Sequence, residues 1–161
     1  MEKSCRYHIV VFAVIFAFLP VLSYATEQSS CATLSSTDTY TLTQDVAATG
    51  TCFTITASDV TLDCAGYLIN YSQSSSSTYG VTVSGSAHGF TIKNCRIMKG
   101  SPTTSSGYGI YISGPDKGLV QNNTVITDGD TVVDSNYGIF LSGTTDTVIY
   151  NNTVVTKGDD T

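Results

Sequence analysis

A seven-residue motif opening on Tyr-Gly recurs at fixed spacing along this chain. Its copies are Tyr79-Gly80-Val81-Thr82-Val83-Ser84-Gly85, Tyr108-Gly109-Ile110-Tyr111-Ile112-Ser113-Gly114 and Tyr137-Gly138-Ile139-Phe140-Leu141-Ser142-Gly143. The step from Tyr79 to Tyr108 equals the step from Tyr108 to Tyr137. A period of that size belongs to chains that stack one small unit on the next, because a single such unit cannot bury its own apolar face.

The remainder of the period repeats as well. Asn122-Asn123-Thr124-Val125 returns one such step later as Asn151-Asn152-Thr153-Val154. The earlier copy, Ile92-Lys93-Asn94-Cys95-Arg96-Ile97, is displaced by one residue, so one turn there has a different length. A fainter copy starts at Thr51-Cys52-Phe53-Thr54-Ile55 and continues as Val60-Thr61-Leu62-Asp63-Cys64. The pattern predicts about four coils, each of about 28–29 residues, with the last cut short.

Within each coil the apolar residues alternate. Ile110 and Ile112 share one face, and Tyr111 and Ser113 the other; Val81 with Val83, and Ile139 with Leu141, repeat the inward pair. Thr54, Thr82, Ser84, Phe140 and Ser142 are the corresponding outward positions. Polar stretches at 72–78, 101–107 and 128–136 read as loops, and no segment after residue 25 carries a helical stripe. In-register stacking would place successive strands about 4.8 Å apart, with inward side chains in columns.

These features resemble the right-handed parallel β-helix repeat proteins, the scaffold shared by pectate lyases and many surface proteins. The resemblance rests on the Tyr-Gly strand, the Asn-Asn corner and the opening segment 31–69, and covers roughly residues 31–161. It implies an all-β solenoid: a leader over 1–25, a cap or first-coil segment over 26–50, and repeats over 51–161. It also implies that Asn123 and Asn152 form an inward ladder at one corner, where Cys95 and Cys64 take the place of Asn. The scaffold hosts many activities, so it implies no particular one.

Lys3 and Arg6, the apolar run from Ile9 to Leu22 and the Ser23-Tyr24-Ala25 cleavage pattern read as a secretory signal peptide. A membrane anchor is the alternative, but the run is short for a span and Pro20 interrupts it. Five basic residues (Lys93, Arg96, Lys99, Lys117, Lys157) then remain against twelve acidic ones. Such a chain is a poor partner for nucleic acid or anionic lipid, and suits a secreted or cell-surface location.

Export permits disulfides, and Cys31, Cys52, Cys64 and Cys95 allow three pairings. Cys64 and Cys95 stand one coil apart, within disulfide reach, which leaves Cys31 for Cys52. Stacked free thiols are the alternative. Glycosylation sequons begin at Asn70, Asn122 and Asn151, and in the two Asn-Asn corners the first Asn is expected in the turn.

No catalytic constellation appears. Hydrolysis of a glycosidic bond needs two flanking carboxylates, and the predicted outward face of the Tyr-Gly strand carries no charge. Arg96 and Lys99 are expected across a corner from it, and His88 reads as a solvated turn histidine. Thr82, Tyr111 and Phe140 form an outward column. It reads as a stabilising cross-strand ladder or as a platform for a polysaccharide or surface glycan. Asp128, Asp130 and Asp159 read as a solvated acidic edge, with a shared calcium ion as the alternative. No other cofactor is implied.

The chain closes on Lys157-Gly158-Asp159-Asp160-Thr161, which matches the start of another inter-coil loop and predicts a truncated solenoid. Two functions follow. One is a non-catalytic structural or glycan-binding β-helix. The other is the N-terminal part of a polysaccharide lyase or glycoside hydrolase whose site lies in further coils.

Overall fold

The computed structural model describes residues 25–74, 78–100, 107–129 and 136–158. The expected signal peptide therefore lies almost wholly outside the described residues, as do Asp130 and Asp159.

Every regular element described is a strand. After β1 (Thr26–Gln28) the strands come in triplets. The first triplet is β2 (Thr33–Leu34), β3 (Thr39–Leu42) and β4 (Val46–Ala47), and the second β5 (Phe53–Ile55), β6 (Thr61–Asp63) and β7 (Leu68–Tyr71). The third is β8 (Thr78–Ser84), β9 (Thr91–Lys93) and β10 (Arg96–Lys99), and the fourth β11 (Gly107–Ser113), β12 (Leu119–Gln121) and β13 (Thr124–Gly129). The last is β14 (Tyr137–Ser142), β15 (Val148–Tyr150) and β16 (Thr153–Gly158). Each member of a triplet joins a different sheet, in the orders β2-β5-β8-β11-β14, β1-β3-β6-β9-β12-β15 and β4-β7-β10-β13-β16. All pairings are parallel. The molecule is a β-solenoid of three long faces. The expected coils over 51–161 are the later four triplets, and the segment expected as a cap or first coil over 26–50 supplies β1 and the first triplet. Its strands are short, and its step to the next triplet, from Thr33 to Thr54, is shorter than the repeat.

Register builds the core. On the first sheet Val81, Ile110 and Ile139 stack in one column, and Val83, Ile112 and Leu141 in another. The second sheet contributes the column Tyr40, Leu62, Ile92, Val120, Ile149, and the third Val46, Ile69, Ile97, Val125, Val154. Middle members of these columns are fully buried. Each fully buried Val, Leu or Ile contributes roughly 1.5–3 kcal/mol. In the last triplet the same columns emerge, with Ile149 and Val154 exposed.

Two disulfides close between coils, Cys31–Cys52 and Cys64–Cys95, with Cα separations of 4.6 and 4.7 Å. Those separations are the distance between adjacent strands of one sheet. The free-thiol alternative therefore does not hold for either pair. Each bridge ties one rung to its neighbour and restricts the unfolded chain.

The glycine of each Tyr-Gly motif has a packing role. Alternation along β11 slips by one residue at Gly109: Gly109 and Ile110 are both buried, while Tyr108 and Tyr111 are half-buried. A Cβ on Gly109 would stand 2.1 Å from Val125 Cγ1 and 2.6 Å from the Gly138 carbonyl oxygen. The side-chain-free position lets the third sheet press against the bend. The bend in turn delivers the preceding tyrosine to the outer face.

Gly109→Ala should therefore cost about 2 kcal/mol or more, since neither neighbour can yield without moving backbone or a core residue. Urea unfolding monitored by far-UV circular dichroism measures it; an unchanged midpoint would show that the bend tolerates a side chain.

Candidate functional site

The outer surface of the first sheet carries the most distinctive chemistry in the molecule. Strands β2, β5, β8, β11 and β14 contain no charged residue, in a chain of net charge −6. Five aromatic rings cover its later rungs. Tyr79, Tyr108 and Tyr137 form one column and Tyr111 and Phe140 a second. Tyr108 and Tyr137 stack with centroids 5.3 Å apart and planes 13° from parallel. Tyr111 and Phe140 stack at 5.5 Å and 1°. The columns join through Tyr79–Tyr111 at 4.8 Å, Tyr108–Tyr111 at 5.2 Å and Tyr137–Phe140 at 5.2 Å. The result is one continuous aromatic surface, with a column of Ser84, Ser113 and Ser142 beside Tyr111 and Phe140.

Packing shifts the titration of one ring on this surface. Burial, followed by the nearby phenols of Tyr137, Tyr79 and Tyr111, raises the Tyr108 pKa above its ordinary value.

Of the three residues expected in the outward column, Tyr111 and Phe140 are on this surface, and Thr82 is in register with Tyr111. Thr82 is only 8% exposed and offers little to a ligand. The Tyr-Gly tyrosines were not among the expected outward residues; the most exposed ring is Tyr137, at 43%.

A corner between the second and third sheets carries two ladders. The inner one runs through the second Asn of each pair. Asn123, 2% exposed, accepts the Cys95 N–H on Oδ1 at 2.9 Å. Its Nδ2 donates to the Ile92 carbonyl at 3.0 Å and to Asn152 Oδ1 at 2.9 Å. Asn152 Oδ1 accepts the Asn123 N–H, and its Nδ2 donates to the Val120 carbonyl at 2.8 Å. Below them the disulfide of Cys64 and Cys95 takes over the stack. Each amide so accepts a backbone N–H at the corner, that of Cys95 or Asn123, and donates to a carbonyl of the preceding strand.

The outer ladder runs through the first Asn. Asn94, Asn122 and Asn151 all adopt positive φ, a conformation that Asn tolerates better than most residues. Asn151 Nδ2 donates to Asn122 Oδ1 at 2.8 Å, Asn122 Nδ2 to Asn94 Oδ1 at 3.5 Å, and Asn94 Nδ2 to Asp63 Oδ1 at 2.9 Å. Asp63 also pairs with Lys93 at 3.2 Å. Burial pushes its carboxyl upward, but hydrogen bonds from Asn94, the Ala65 N–H and Lys93 outweigh that and hold its pKa below the ordinary value.

Other sequence candidates fall elsewhere. Asp128 lies in β13 opposite Lys157, and among the described residues no group of three His, Cys, Asp or Glu is placed to hold a metal. His88 accepts the Asp116 N–H on Nδ1 at 3.0 Å, so it carries its proton on Nε2 and orders a turn. Lys99 lies in the third sheet, across a corner from the Tyr-Gly strand as expected, but its side chain turns inward. It is 5% exposed, in register with the buried Tyr71, and its Nζ donates to Asn136 Oδ1 at 3.0 Å. The same oxygen accepts the Gly107 N–H at the entry of β11. Lys99 thus reaches across the corner to the Tyr-Gly strand from inside. Its parity with Ile97, two residues earlier, was the available signal.

A family model described as the right handed beta helix region matches residues 46–160. The chain belongs to the right-handed β-helix family. No curated protein and no solved structure matched the chain. The β-helix assignment fixes the scaffold, and the ring-bearing face and the Asn corner are its particular features here.

Asn123→Ala should leave the buried Cys95 N–H without its partner, and cost about 1–3 kcal/mol in chemical denaturation. Asn123→Asp with an equal loss would show that the amide donor matters as much as the acceptor.

Because the folded-state pKa of Asp63 is lowered, its contribution is present above the unfolded value, near 4, and is lost as pH falls through the folded value. Asp63→Asn should flatten the acid side of the stability profile while costing no more than about 1 kcal/mol at pH 7, since the ion pair is partly solvated. Denaturation midpoints from pH 6 to pH 2.5 decide it.

Proposed function

We propose that this β-helix is a non-catalytic secreted or cell-surface protein whose aromatic face binds an uncharged glycan. The observation that carries the reading is the continuous surface of Tyr79, Tyr108, Tyr137, Tyr111 and Phe140 on a sheet without charge. Sugars present apolar C–H patches ringed by hydroxyls. Tyrosine matches both, with an apolar ring and a hydrogen-bonding hydroxyl. The adjoining Ser84, Ser113 and Ser142 add hydroxyls at the spacing of the rungs.

Stacking also lowers the cost of binding. Rings that already hold each other lose little rotamer freedom when a ligand arrives. An anionic polysaccharide has no cation to pair with on these five strands, in a chain of net negative charge. Cleavage at this face would require a pair of carboxylates that the strands do not contain. The two inter-coil disulfides support an oxidising, extracellular compartment.

Affinity electrophoresis and calorimetry against a panel of neutral and anionic polysaccharides test this. Neutral glycans should bind, and Tyr111→Ala and Phe140→Ala should each weaken binding about tenfold, or roughly 1.4 kcal/mol. Lys117→Ala, in the turn between β11 and β12, should leave it unchanged. Preference for anionic polymers, or equal affinity of all variants, would remove the rings from the function.

A further inference from the structure

We propose that Asn122 and Asn151, and not Asn70, are acceptors for N-linked glycan transfer. The three share the same tripeptide chemistry, an Asn followed two residues on by Ser or Thr. The fold separates them by what it does with each end of the tripeptide.

At Asn122 the corner turns the middle residue inward and both ends outward. Asn122 and Thr124 are exposed while Asn123 is buried in the inner ladder. The next coil repeats the arrangement, with Asn151 and Thr153 exposed. Transfer engages the Asn amide and the hydroxyl two residues later, and here both face solvent together.

Asn70-Tyr71-Ser72 has the opposite disposition. Ser72 is fully buried and Asn70 only half-exposed. Asn70 Oδ1 is itself buried, and a Cβ on Gly100 would stand 2.5 Å from it, so the amide lies against backbone of the next rung. A sugar there would separate two coils.

The ladder geometry tolerates the modification at the other two sites. In the transfer, Nδ2 bonds to C1 of the sugar, the C1–O bond to the lipid pyrophosphate carrier breaks, and Nδ2 loses one proton. One N–H remains on each amide. Asn151 Nδ2 spends one hydrogen on Asn122 Oδ1, and Asn122 Nδ2 spends one on Asn94 Oδ1. Both bonds can persist beside a glycan, and the Asn corner belongs to sheets other than the ring-bearing one.

The inference requires passage through a secretory route and is independent of what the aromatic face binds. For the test, the full chain is expressed in a glycosylating eukaryotic line with a host leader ahead of Met1 and a reporter sequon after Thr161. Only molecules with an occupied reporter are scored by peptide mapping. Glycans are expected at Asn122 and Asn151, with Thr124→Ala removing the first, Thr153→Ala the second, and Ser72→Ala neither. A glycan at Asn70, or bare amides at both Asn122 and Asn151, would overturn the assignment. A parallel arm without the host leader separates the two readings: an empty reporter there counts against export by the chain's own N-terminus and leaves the site assignment standing.

Discussion

Parallel, in-register stacking is the constraint from which the rest of this molecule follows. No rung of three short strands can bury Ile110, Val120 and Val125 by itself. Each becomes buried because an equivalent residue sits in the rung on either side. Stability is therefore built from nearest-neighbour terms, and a fault in one rung is felt first by the two beside it. The last triplet shows the same rule from the other side. Ile149 and Val154 have the sequence of core residues, yet they are exposed where no further described rung covers them.

Stacking also multiplies whatever stands at a given position. An inward aliphatic becomes a column of core, an inward Asn a ladder of satisfied amides, and an outward tyrosine an aromatic surface. Polar residues at inward positions show how demanding this is. Asn123 is tolerated because its three hydrogen bonds reach two backbone groups of the preceding rung and the side-chain amide of the next. Where the column changes from Asn to Cys, a covalent bond replaces the hydrogen bonds. Both solutions hold neighbouring rungs at one fixed separation.

Much of this could be read from the chain. The constant step between Tyr-Gly motifs pointed to the solenoid, and alternation around Ile110 to the inward pairs. The one-coil spacing of Cys64 and Cys95 matched a bridge between rungs. The inward role of Asn123 came from the resemblance to β-helix repeat proteins, which implies an asparagine ladder at one corner, with Asn122 in the turn. Three things escaped. The first triplet was left open between a cap and a first coil because its step, from Thr33 to Thr54, is shorter than the repeat and does not share the period. The burial of Lys99 was not read from the chain, because lysine is seldom buried; its position two residues beyond Ile97 outweighs its type. The tyrosines of the Tyr-Gly motif were not placed outside because strict alternation does not survive the glycine bend.

That bend links the scaffold to the candidate site. Counting back from Ile110, a regular strand would turn Tyr108 into the core. Gly109 absorbs the slip by occupying an inward position without a side chain, against Val125 of the third sheet. Tyr108 then joins Tyr111 on the outside, and stacking repeats the pair with Tyr137 and Phe140 one rung on. The two halves of the aromatic surface therefore have different origins. Tyr111 and Phe140 are placed by simple alternation, and changing them alters the face alone. Tyr79, Tyr108 and Tyr137 are placed by a glycine that the core requires, so that part of the face cannot be repositioned without disturbing the packing of Ile97, Val125 and Val154 beneath it.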